Sequence, residues 1–142
     1  MYRDILLPVD LNHASSWAKA LPTAVEYARA FGSVLHLVTV IPDFRVSVVS
    51  DFFPSDFEKK ALEAAREHLH AFAAQHVPKG VPVQHIVAHG SVYEEVLAAA
   101  KQINADLIVM AAHRPELRDY LLGPNAARVV RHATQSVLVV RD

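Results

Sequence analysis

The chain has 142 residues, 52% of them hydrophobic and 20% charged, with 14 basic against 15 acidic side chains for a net charge of −1. That is the size of one domain, 1–142, and the composition of a chain that folds. The charge balance excludes a polycationic footprint for nucleic acid or anionic lipid. The absence of cysteine excludes disulfides, thiolate metal sites and a cysteine nucleophile, and favours a cytoplasmic home. Protonating all nine histidines would carry the net charge from −1 to +8, so association should depend on pH. The opening run Ile5-Leu6-Leu7-Pro8-Val9 is too short for a signal peptide. No run approaches the about 20 apolar residues of a membrane span.

Short β-rich runs alternate with longer helical patterns. The runs are 4–9, 34–41, 83–88, 106–111 and 136–141. Several are apolar without a break, as in Leu107-Ile108-Val109-Met110, which suits strands covered on both faces. The first helical pattern holds Trp17, Leu21, Ala24, Ala28 and Phe31, with Gly32 as its stop. Pro22 either kinks it or marks its first turn. The second holds Leu62, Ala65, Leu69 and Phe72 behind a capping box of Ser55 and Glu58. The third holds Val92, Val96, Ala99, Ala100 and Ile103 behind a box of Ser91 and Glu94. The fourth, 124–132, opens on Pro124 with Gly123 as N-cap. The order β-α-β-α-β-α-β-α-β predicts an α/β fold, a single doubly wound domain with a parallel sheet. The long stretch 42–54, with Phe44, Phe52 and Phe53, reads as a lid, an interface segment or a surface loop.

Ligands of such sheets sit beyond the carboxyl ends of the strands. Asp10 follows the first strand. It could bind a ribose hydroxyl or a phosphate-bound Mg²⁺, or serve only to bond its own loop. Gly123 opens a helix whose free N–H groups favour an anion, and Arg114 and His113 on the facing loop could pair with phosphate. His85 and His89 share a strand face, but no third ligand accompanies them, so a metal is not expected. His68 and His70 diverge on their helix. The nucleophile elbow, the P-loop and the GxGxxG fingerprint are all absent. No residue set proposes a covalent mechanism or an acid–base pair.

Together these segments resemble the universal stress protein family over essentially the whole chain. The resemblance is carried by Ile-Leu-Leu-Pro-Val-Asp at the start, Val38-Thr39-Val40-Ile41-Pro42 and His89-Gly90-Ser91. It continues through Ala105-Asp106-Leu107-Ile108-Val109-Met110, Leu121-Leu122-Gly123 with Ala126-Ala127-Arg128-Val129-Val130-Arg131, and Ser136-Val137-Leu138-Val139-Val140. It implies five parallel strands in the order 3-2-1-4-5 with helices on both faces. It also implies a homodimer through the final strand, Ser136 to Arg141.

Many members bind ATP through Gly-x-x-Gly-x9-Gly-Ser/Thr after the fourth strand. Here Ala111 and Arg114 replace the first two glycines, eight residues separate Arg114 from Gly123, and Pro124 replaces the hydroxyl residue. The words His-Arg-Pro and Gly-x-Asn-Ala-Ala resemble instead a bacterial branch regarded as nucleotide-binding. By carry-over, Pro8, Asp10 and the Val40 backbone hold adenine and ribose, with Val9, Val40 and Met110 as apolar neighbours. Gly90 permits close approach, and Ala111, His113, Arg114, Gly123, Asn125 and Ala126 face the phosphates.

The resemblance thus implies an ATP-binding protein (ADP or AMP being alternatives, Mg²⁺ accompanying the phosphates through Asp10) in a stress or signalling role. At most it would hydrolyse ATP slowly or autophosphorylate. The competing expectation is a nucleotide-free member acting through an unknown protein partner. A nucleotidyltransferase or ligase lacks its signature loops here, and a phosphoacceptor receiver lacks its acid cluster.

Overall fold

The computed structural model describes residues 1–41, 56–112 and 125–141. The 42–54 stretch, the Ser55 cap, His113, Arg114, Gly123 and Pro124 lie outside the described residues. Five strands form one parallel sheet: β1 (Asp4–Pro8), β2 (Val34–Ile41), β3 (Val83–His89), β4 (Leu107–Ala112) and β5 (Ser136–Arg141). Their order is β3-β2-β1-β4-β5, as the resemblance implies.

The unbroken apolar runs follow from burial on two sides. Ile5, Leu7, Leu35, Leu37 and Val109 pack against α1 (Ala20–Phe31) and α2 (Phe57–His76). Their neighbours in the pleat, Leu6, Val38, Val40, Ile108 and Met110, pack with α3 (Val92–Gln102) and α4 (Asn125–His132). Successive strand side chains point to opposite faces, so each strand feeds both cores at once.

Gly32 ends α1 in the left-handed region at φ 66°, with its N–H returned to the Ala28 carbonyl. Pro22 falls in the first turn of α1, between Leu21 and Thr23, whose N–H groups bond the Trp17 and Lys19 carbonyls.

The box expected at α2 involves Ser55, outside the described residues, and the one expected at α3 does not form as the sequence suggests. The N-cap of α2 is Asp56, not Ser55, and its carboxylate pairs with Lys60 at 3.1 Å. Glu58 meets His89 Nε2 at 2.9 Å. Ser91 does cap α3, but its hydroxyl makes no cap bond and Glu94 accepts from the Tyr93 hydroxyl. The orphan Tyr93 N–H donates to Asn125 Oδ1 at 3.1 Å, a partner 32 residues away.

Candidate functional site

The sheet opens between its two central strands. β1 pairs with β2 through Pro8↔Val38, and the Val9 N–H carries that ladder on to the Val38 carbonyl at 2.8 Å. Against β4 the pairing stops at Leu6↔Ile108. Backbone groups alternate sides along a strand, so with Val9 facing β2 the Pro8 nitrogen faces β4. Proline has no N–H to give there, and the ladder ends. β1 leads outward to β2 and β4 leads outward to β5, so the crevice lies at the topological switch point.

Asp10 stands at the rim of this crevice, only 4% exposed. Its Oδ1 accepts the Asn12 N–H at 3.1 Å and its Oδ2 lies 2.8 Å from His13 Nδ1, which donates to it. The buried Ser16 hydroxyl completes the loop. It accepts the Asp10 N–H at 2.9 Å and lies 2.7 Å from the His13 carbonyl and 3.1 Å from that of Asp10. The carboxylate therefore bonds its own loop, and each oxygen keeps a lone pair for a further donor. His13 and Ser16 were missed as parts of this site. The Asp-x-x-His spacing is the local signal that could have found His13.

The other candidates distribute over two faces. Val40, Met110 and Ala126 share the α3–α4 core, with Met110 fully buried. Val9 belongs to the α1–α2 core on the opposite face, and the half-buried Ala111 packs there as well. Pro8 is buried at the end of β1. Gly90 ends the β3 edge at φ 135°, donating to the Ile41 carbonyl at 2.8 Å. A Cβ at Gly90 would lie 3.1 Å from Glu95 Oε1. Asn125 stands at the start of α4, its amide oxygen holding the start of α3. The structure thus gathers Val40, Met110 and Ala126 on one face, sets Asp10 at the rim of the crevice, and keeps Val9 and Ala111 apart from them.

Among the described residues no three histidine or carboxylate side chains converge to hold a metal. His89 meets Glu58, and His85 stacks on His70. No described helix is long and apolar enough to cross a membrane.

The universal stress protein family model matches residues 1–141. Universal stress protein G of Escherichia coli O157:H7 is 33% identical over 144 residues, spanning 99% of this chain and 100% of that protein. A solved protein of the universal stress protein family from Burkholderia pseudomallei is 27% identical with a TM-score of 0.71, over 98% of this chain and 96% of its own. A universal stress protein solved in complex with cAMP is 23% identical with a TM-score of 0.61, over 99% of this chain and 97% of its own.

Proposed function

The chain belongs to the universal stress protein family, and from that membership and the crevice at its switch point we propose that it is an adenine-nucleotide-binding protein. ATP is its ligand, and it acts as a cytoplasmic homodimer in a stress or signalling role. One observation carries the reading: β1 and β4 part after Leu6↔Ile108, and a buried carboxylate stands at the rim. A relative of the same fold solved with cAMP supports it. In this reading Asp10 accepts a ribose hydroxyl on its remaining lone pairs. Val40 and Met110 lie beside the adenine, and His113, Arg114, Gly123, Asn125 and Ala126 take the phosphates. Mg²⁺ fits only as a companion of the phosphates, because Asp10 brings no second carboxylate with it among the described residues.

The specific observation in favour of a nucleotide-free member is that both Asp10 oxygens already hold a donor from their own loop. One experiment separates the two. Protein purified without added nucleotide is denatured, and the released small molecules are run on ion exchange against adenine nucleotide standards. A near-stoichiometric ATP or ADP peak is expected. An empty trace, with no thermal shift in millimolar Mg-ATP, overturns the reading and leaves a protein partner as the ligand.

A further inference from the structure

A second cavity lies away from the crevice, on the α1–α2 side, with a volume of about 420 Å³. Its long wall is one stripe of the first helix. The Leu21 N–H bonds the Trp17 carbonyl at 2.8 Å, so the turn before α1 continues its spiral and Trp17, Leu21, Val25 and Arg29 line up at four-residue intervals. That stripe runs about 18 Å along the axis at 1.5 Å per residue. Leu21 and Val25 are buried and form an apolar floor. The size falls within the roughly 300–1,000 Å³ of small-molecule pockets, which pair apolar walls with a few polar anchors.

The polar side chains lining this cavity are Trp17, Glu26, Arg29 and His76, and Trp17 and Arg29 are pure donors. Trp17 packs edge-on against Phe72 at 5.0 Å and tilted against His76 at 4.6 Å. Its indole N–H is the one buried side-chain polar atom among the described residues without a partner. A buried donor left unpaired is destabilising and calls for an acceptor. At the far end Arg29 meets Glu26 at 3.5 Å, with both side chains more than half exposed. Such a pair is worth little, so the guanidinium is available to turn toward a better partner.

We propose that this cavity is a second small-molecule site, for a carboxylic acid with an apolar body. The apolar body lies on Leu21 and Val25 beside the Trp17–His76 aromatic wall. The carboxylate is held by Arg29, and a tilt of the indole brings its N–H to an acceptor of the ligand. The site shares no residue with the nucleotide crevice and does not depend on nucleotide binding.

Trp17 is the only tryptophan of the chain, so its fluorescence reports this cavity alone. Wild-type protein is titrated with sodium octanoate, and separately with 1-octanol as the uncharged isostere. Saturable change with octanoate is expected, with octanol weaker by about fivefold or more, the worth of a charge-assisted hydrogen bond. Arg29→Gln should weaken octanoate by a similar factor and leave octanol unchanged. Ala18→Glu, at an exposed position on the rim, should do the same by repulsion. Saturating ATP should leave the octanoate titration unchanged. A response that never saturates, octanol binding as tightly as octanoate, or both variants binding octanoate like wild type would each overturn the proposal.

Discussion

The imidazole rings of His70 on α2 and His85 on β3 stack with centroids 3.7 Å apart and planes 22° from parallel. Burial first, and the neighbouring His70 second, push the His85 imidazole below its ordinary value of 6.5. In the unfolded chain both influences vanish, so between the folded and unfolded values the unfolded state holds more protons. Stability is then fully present above 6.5 and is lost as pH falls through the lower folded value. His85→Gln should flatten the acid side of the melting profile. In an NMR titration His85 should titrate below 6.5, and His70→Gln should raise its midpoint only part of the way, because burial is the larger cause. A midpoint at or above 6.5 in wild type would contradict this.

Asp10 is expected to matter to the unliganded protein as well as to the liganded one. A carboxylate that only met ribose could be removed without cost to the empty fold. This one holds the Asn12 N–H and His13. Asp10→Ala should therefore cost about 1–2 kcal/mol in urea unfolding without ligand, besides weakening ATP binding. Ser16→Ala strips the partner from the buried Asp10 N–H and should cost about 1–3 kcal/mol on the same measurement. An Arg114→Ala variant should weaken ATP binding with no such loss. If Asp10→Ala unfolds like wild type, the loop bonds described here carry no weight.

What could be read from the sequence divides by distance along the chain. The extents of β2 and β5, the Gly32 stop and the position of Pro22 rest on local composition and periodicity, and all came through. The capping box of α3 misled because the winning partner is remote. The α3 terminus is held by Asn125, 32 residues away. The faces of Val9 and Val40 follow from strand register, which no single segment encodes. The Trp17 cavity is a product of helix packing and has no motif. His13 was within reach of the sequence, since an Asp bonding two and three residues onward is a local pattern.

Gly90 offers a test of backbone against side-chain strain. Its φ of 135° is a region that L side chains rarely adopt, and a Cβ there would approach Glu95 Oε1 to 3.1 Å. The Glu95 carboxyl is the far end of a flexible chain and can move aside. The dihedral cannot change without loosening the Gly90 N–H bond to Ile41. Gly90→Ala should thus cost about 1–3 kcal/mol, and adding Glu95→Ala should restore little of it. Full recovery in the double variant, by denaturant titration, would assign the cost to the contact instead.

The proposed homodimer makes a sharp demand on β5. That strand is one edge of the sheet, and an edge leaves backbone N–H and carbonyl groups open to pairing. Along it Val137 serves the α3–α4 core, while Leu138 and Val140 serve the other. Val139 is half-buried, pairs in register with Met110, and among the described residues belongs to neither core. A second copy laid along the same edge would cover it. Lysine is the residue by which natural edges resist pairing. Val139→Lys should therefore convert a dimer to a monomer in sedimentation velocity at micromolar concentration, with little change in the far-UV circular dichroism. A wild-type protein that sediments as a monomer would remove the dimer altogether. A Val139→Lys protein that stays dimeric would move the interface off this edge.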